Sequence, residues 1–156
     1  MYKKIKQILI SLRRKKIKLS TAESCTGGML AQVITSVSGA SDVFKFGVVT
    51  YSNQSKTKYL KVPNKIINKY GAVSEECCSF MLKGLAKISK TKLSLAITGI
   101  AGPNGGTKQK PIGLVYIGIK KNKKIKINKF FFKNQNRENI RKNSVKKSLE
   151  LIAEFI

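Results

Sequence analysis

Two runs rich in β-branched and aromatic residues, 112–119 and 125–132, are separated by nothing but Lys-Lys-Asn-Lys-Lys. So short a link cannot make a parallel crossover, and the pair must be an antiparallel hairpin. Upstream the pattern differs. A strand at 17–21, with Ile17, Leu19 and Thr21 alternating against polar neighbours, leads into a helical pattern from Met29 to Val37 that ends at Gly39. A second strand at 44–51 is followed by a short polar helix at 53–60 and a break at Pro63, and Gly71 closes the next helical turn. Ser74 is placed to cap a helix over 74–89, with Glu75 and Glu76 in the first turn, where the helix dipole favours negative charge. Met81, Leu82, Leu85 and Ile88 of that helix are expected to face inward. A continuous apolar strand at 93–98 then precedes a glycine-rich loop over 99–111. Helices at both ends complete the plan: 2–15, with Ile5, Ile8, Leu9 and Leu12 on one face, and 137–155, presenting Ile140, Val145, Leu149, Ile152 and Phe155. Strands alternating with helices, then one hairpin, predict the α/β class. The expected fold is a three-layer α/β/α sandwich with a mixed, mostly parallel sheet, forming one domain over residues 1–156.

At 156 residues and 42% apolar, the chain can bury about 68–70% of its unfolded surface and needs no disulfide or structural metal to fold. It contains no histidine, which excludes Ser-His-Asp and Cys-His catalysis and the commonest zinc ligand sets. Neither a metal nor a cofactor is expected. The 32 Lys+Arg against 7 Asp+Glu give a net charge of +25, a field that favours anionic ligands of any size. Only Arg13, Arg14, Arg137 and Arg141 are arginines. Base-reading and bidentate phosphate sites favour arginine, so compositional drift toward lysine accounts for the charge better than a selected nucleic-acid surface. A basic module that binds nucleotides or RNA without chemistry is the alternative reading. Cys25, Cys77 and Cys78 form no CxxC pair and suit a reducing compartment. The N-terminal apolar stretch is interrupted by Lys6, Gln7 and Ser11, and no run reaches spanning length. A cytoplasmic location with no membrane partner is therefore expected.

Small residues, hydroxyls and glycines gather in three places, Thr21 to Gly28, Tyr51 to Lys56 and Thr98 to Thr107, and each follows a strand. Loops after neighbouring parallel strands converge at one sheet edge, so the three segments can form a single pocket. Ser24 sits at a strand-to-helix turn, where backbone N–H groups can receive an oxyanion or a phosphate; equally, Ser24 or Thr26 can simply cap the helix, with Gly27 and Gly28 there for packing. Neither a GxxxxGK[ST] loop nor a GxSxG elbow is present. An attacking serine needs a proton acceptor. With histidine excluded, the candidates are Lys56, its charged form disfavoured by burial and by other lysines, and Tyr51 as a relay. The loop Thr98-Gly99-Ile100-Ala101-Gly102-Pro103-Asn104-Gly105-Gly106-Thr107 offers backbone donors and two hydroxyls to a phosphate or ribose. N–H groups near Gly27 or Gly99 are the expected oxyanion donors. Arg137 and Arg141 are placed to clamp a phosphate. Cys25 lies beside the serine but has no base, and is expected to serve packing.

These segments, in this order, resemble the CinA C-terminal domain family, the nicotinamide-nucleotide amidohydrolases called PncC. The resemblance is carried by Thr21-Ala22-Glu23-Ser24-Cys25-Thr26-Gly27-Gly28, Gly47-Val48-Val49-Thr50-Tyr51-Ser52-Asn53, Gly71-Ala72-Val73-Ser74-Glu75-Glu76 and Ile97-Thr98-Gly99-Ile100-Ala101-Gly102-Pro103 with Gly105-Gly106-Thr107. It implies hydrolysis of the carboxamide of nicotinamide mononucleotide to nicotinate mononucleotide and ammonia, a metal-free step of pyridine-nucleotide salvage and NAD metabolism. By match, Ser24 is the nucleophile and Tyr51 and Lys56 its acid/base partners. Thr26, Gly27, Gly28, Thr98, Gly99, Gly102, Gly105, Gly106 and Thr107 are substrate-contacting, and Arg137 is phosphate-directed. The resemblance also implies an α/β/α sandwich, often a homodimer. The chain departs from the family pattern at Phe46-Gly47, at Gln54-Ser55 and at Asn104, which leaves Ser24, Tyr51 and Lys56 in place but makes altered substrate affinity an expectation. Longer members carry an N-terminal molybdopterin-binding-like domain with no counterpart in these residues, and activity belonging to it is not expected.

Overall fold

A computed structural model describes residues 2–156. In chain order its elements are α1 (Tyr2–Arg14), β1 (Leu19–Glu23), α2 (Met29–Thr35), β2 (Phe44–Val49), α3 (Asn53–Leu60), α4 (Asn64–Tyr70), α5 (Glu75–Ser89), β3 (Leu93–Gly99), β4 (Leu114–Lys121), β5 (Lys124–Phe131) and α6 (Arg137–Phe155). The strands form one sheet in the order β2-β1-β3-β4-β5. β1 runs parallel to both β2 and β3, while β4 is antiparallel to β3 and to β5. Four strands therefore point one way and β4 alone opposes them, the mixed, mostly parallel sheet that the sequence predicts. The β4–β5 link is tighter than the five lysine-rich residues suggest. Lys121 pairs with Lys124, and Asn122 turns the chain at φ 55°.

Helices cover both faces. Ile5, Ile8, Leu9 and Leu12 of α1 join residues of α2 and α6 over Leu19, Leu95, Ile97 and Ile117 of the sheet. On the other face Met81, Leu82 and Leu85 of α5 pack with Leu60, Val62 and Ile67 over Ala22 and Ala96. Ile88 departs from expectation: it is 42% exposed in the last turn of α5, although the adjacent Ser89 still reaches Ser20 of β1. The alternation in β1 also misleads, since the strand is central and all five of its residues are buried. Ser20 lies in that interior without penalty because its hydroxyl shares hydrogen bonds with Thr91, Ser94 and Ser89 at 2.7–3.0 Å.

Two local features fix how α5 begins and how closely it meets α3. Ser74 caps α5 as expected, its hydroxyl accepting from the Cys77 N–H at 3.1 Å. Gly84 of the same helix lies against the end of α3, where an added Cβ would stand 1.9 Å from the Leu60 carbonyl oxygen. Alanine is the better helix former, but here the overlap is with backbone and cannot relax through a rotamer. Gly84→Ala is expected to lower the melting temperature by about 5–10 °C in a thermal unfolding scan. An unchanged or raised value would show that the two helices are not held at this spacing.

Candidate active site

The parallel strands β1, β2 and β3 end side by side, and the chain leaving each one reaches the same depression. A cavity of about 230 Å³ is lined there by Ser24 and Cys25 after β1, Tyr51 after β2, Gly99 to Gly102 with Asn104 and Gly105 after β3, and Arg137 at the start of α6. Ser24 is held from both sides as the chain leaves the sheet: its N–H donates to the Ile97 carbonyl at 3.0 Å, and its own carbonyl accepts from the Gly27 N–H at 2.9 Å. The side chain is 8% exposed and opens on the cavity.

Lys56 reaches the serine from below. It lies in the first turn of α3, which begins at Ser52 with a reciprocal cap between Ser52 and Ser55. From there the side chain runs inward and is only 2% exposed. Its Nζ donates to Ser24 Oγ at 3.0 Å and to the Thr50 carbonyl at 2.8 Å. No carboxylate pairs with it in any ion pair among the described residues. Burial is the main influence and lowers its pKa below the ordinary lysine value of 10.5, opposed in part by the thiols of Cys77 and Cys25. A buried amine with a lowered pKa and a hydroxyl at 3.0 Å is an activated-nucleophile pair without imidazole.

Tyr51 stands apart from that pair. It lies beyond the end of β2, 58% exposed, and its hydroxyl accepts from Arg137 Nη2 at 2.6 Å rather than bonding to Ser24 or Lys56. Arg137 Nη1 donates to the Gly102 carbonyl at 2.7 Å. The guanidinium thus bridges Tyr51 and the Gly102 turn across the cavity mouth. Relay between Lys56 and Ser24 is not the role this placement gives Tyr51, and Arg137 has already committed two donors to protein acceptors.

Other expected contacts fall elsewhere. The Thr98 hydroxyl donates to the Ala72 carbonyl at 2.8 Å, tying β3 to the turn before α5. Thr26 is fully buried, with no hydrogen-bond partner for its hydroxyl, and Gly27, Gly28 and Thr26 do not line the serine cavity. Gly106 and Thr107 line a neighbouring cavity instead. Cys25 is buried as packing requires, and burial pushes its thiol up to about 12. Cys77 rises to about 11 for the same reason.

The residue that sequence reasoning passed over is Glu23. Its carboxylate accepts from the N–H groups of Gly28, Leu30 and Ala31 at 2.8–3.1 Å and so occupies the N-terminus of α2. Neither Ser24 nor Thr26 caps that helix, and its dipole is not open to an oxyanion or a phosphate. The Gly27 N–H is likewise taken by the Ser24 carbonyl. Arg141 holds the same turn from α6, donating through Nη2 to the Thr26 carbonyl at 2.9 Å. A lone glutamate closing a strand just before a helix start was the available signal, because a carboxylate there finds the unpaired donors of the next helix within reach.

A three-layer α/β domain with a buried Ser–Lys pair at the ends of its parallel strands is the class that fold and site define. The family profile described as CinA C-terminal domain matches residues 2–156, and the chain belongs to that family. Among curated relatives, a CinA-like protein of Kosmotoga olearia is 48% identical over 126 residues, 80% of this chain and 31% of that protein. A relative from Clostridium perfringens is 52% identical over 119 residues, 76% of this chain and 29% of its own length. This chain spans about a third of the length of the curated relatives it matches. The solved structure of the competence/damage inducible protein CihA from Agrobacterium tumefaciens superposes with a TM-score of 0.96 at 33% identity, covering 98% of this chain and 93% of that one. Where these names give a role, they speak of competence and damage, not of a reaction. No described helix is long and apolar enough to cross a membrane.

Proposed function

We propose that this domain is an amidohydrolase that converts nicotinamide mononucleotide and water to nicotinate mononucleotide and ammonia. The reading is supported above all by the 3.0 Å contact between Ser24 Oγ and the buried Lys56 amine. In the neutral form the amine accepts the serine proton as Oγ bonds to the carboxamide carbon, and the carbonyl electron pair moves to oxygen. Lys56, now charged, gives that proton to the departing nitrogen, which leaves as ammonia and the acyl group as a serine ester. Water attacks the ester by the same route, its proton passing through Lys56 to Ser24, and nicotinate mononucleotide is released. The tetrahedral oxyanion is received at the turn after Ser24, where Cys25 lines the cavity and its N–H has no backbone acceptor among the described residues. Each such donor is worth roughly 3–4 kcal/mol to the transition state. Tyr51 and Arg137 form the mouth and orient the ligand.

The test is an ammonia-release assay on purified protein with nicotinamide mononucleotide, nicotinamide and nicotinamide adenine dinucleotide side by side. Turnover of the mononucleotide in the presence of a chelator is expected. No ammonia from any of the three would defeat the reading and favour a nucleotide-binding module, whose affinity for anions of many kinds would fall steeply with added salt.

A further inference from the structure

Arg141 holds its charge in an exacting place. It is half-buried in the second turn of α6, is in no ion pair among the described residues, and keeps a buried Nε with no hydrogen-bond partner. A cationic donor left unpaired in the interior is costly, so its place needs a compensating use. The guanidinium is directed at the serine turn. Its Nη2 donates to the Thr26 carbonyl at 2.9 Å and lies 3.4 Å from where a Cβ on Gly27 would stand.

That carbonyl begins a row of peptide groups. It belongs to the same peptide unit as the Gly27 N–H, which donates to the Ser24 carbonyl at 2.9 Å. The Ser24 carbonyl in turn shares its unit with the Cys25 N–H, which has no backbone acceptor among the described residues and belongs to a residue lining the serine cavity. A guanidinium therefore stands at one end of two hydrogen-bonded peptides, and a donor without a backbone acceptor stands at the other, beside Ser24. The Met29 N–H also donates to the Thr26 carbonyl, at 3.1 Å, and fixes the first peptide from the α2 side. Bonds in such a row polarise one another, so each carbonyl that accepts makes the N–H of its own unit a stronger donor. The charge of Arg141 is felt at Cys25 as well, where it opposes the rise that burial gives the thiol. Arg137, one turn earlier, is bound to Gly102 and Tyr51 and lies outside this row.

We infer that Arg141 is a positioning residue for the reaction: through the Thr26–Gly27 and Ser24–Cys25 peptides it aligns and strengthens the Cys25 N–H as donor to the tetrahedral oxyanion. This rests on the amidohydrolase reading for the oxyanion itself. An effect delivered through that donor is felt where the carbonyl oxygen gains charge, and little by the planar carboxamide of the bound substrate.

The experiment sets Arg141→Met and Arg141→Lys beside wild type with three readouts. These are kcat and KM for nicotinamide mononucleotide, the dissociation constant of that substrate in the Ser24→Ala background, and inhibition by pyridine-3-carbaldehyde mononucleotide. With the aldehyde, Ser24 Oγ bonds to the carbonyl carbon, the π pair moves to oxygen and the serine proton passes to Lys56, so the adduct carries the oxyanion but no leaving group. Arg141→Met is expected to lower kcat and weaken the aldehyde by about tenfold each, with substrate dissociation within about twofold, and Arg141→Lys, which keeps a charged donor, to recover most of both losses. Equal weakening of substrate and aldehyde would make the arginine a prop for the pocket and overturn the inference. So would an unchanged kcat in Arg141→Met, or a lysine variant no better than methionine. Arg141→Gln, which keeps a polar head without the charge, carries the same comparison if the methionine variant does not fold. The aldehyde also keeps the two readings apart. An adduct that weakens in Arg141→Met supports the role of Arg141 even in a protein that releases no ammonia, whereas equal inhibition of wild type and Arg141→Met, or no adduct in wild type, overturns it even in an active enzyme.

Discussion

Ser24→Ala is expected to abolish ammonia release from nicotinamide mononucleotide, by at least roughly 10⁴-fold in kcat, while leaving the substrate dissociation constant within about twofold. The hydroxyl is the only group at this position that can form the ester, and its neighbours are held by other contacts. The Ser24 backbone keeps its bonds to Ile97 and Gly27 whatever the side chain. Loss of the oxygen leaves Lys56 bonded to the Thr50 carbonyl, so the pocket is not expected to collapse. Turnover by direct attack of water would show as residual activity above that limit and would remove the serine from the covalent step. Calorimetry on the variant supplies the second arm, since a protein that neither turns over nor binds has been damaged in its shape rather than in its chemistry.

Lys56→Met is the second large effect, with kcat expected to fall about 10³-fold or more while the fold survives. Methionine fills the same channel without the charge that burial opposes, so stability is expected to hold or rise. The pH profile of wild type carries the sign. The proton acceptor is the neutral amine, so activity rises with pH as Lys56 loses its proton, with a midpoint below 10.5 because burial lowers the pKa. Between that lowered value and 10.5 the unfolded chain binds more protons than the folded one, so stability too rises with pH across this window. Below the window the charge must be held buried, and the contribution of Lys56 is unfavourable. A profile that falls with pH over this range, or one that keeps its rising limb in Lys56→Met, would assign the base elsewhere.

Much of this was legible in the sequence because its signals were local. The short lysine link fixes β4 against β5, and strand-turn-helix patterns bring Ser24, Tyr51 and the Gly99 loop to one edge. The lysine could be named as a candidate by elimination, since the chain has no histidine. What escaped was decided by contacts between distant segments. Tyr51 reads as a proton relay because the chain has no histidine, and by resemblance as an acid/base partner, yet its hydroxyl is bound by Arg137 from the far end of the chain. Thr98 reads as a ligand group in a loop, yet its hydroxyl is bound to Ala72, before α5. Glu23 continues the alternation of Ile17, Leu19 and Thr21, which does not mark a charged residue as buried, and only the donors of α2 explain a buried carboxylate there. Ile88 fails for a simpler reason, since periodicity gives the face of a helix but not how fully each turn of it is covered.

The two guanidinium groups on α6 have a consequence for synthesis. Arg141 secures the loop that presents the serine and Arg137 spans the entrance, yet both sit after all five strands in the chain. A nascent polypeptide therefore emerges from the ribosome with Ser24 and Lys56 already made but the cavity entrance unfinished until the nineteen-residue α6 docks. Messages cut short before Arg137 would yield the sheet without either guanidinium.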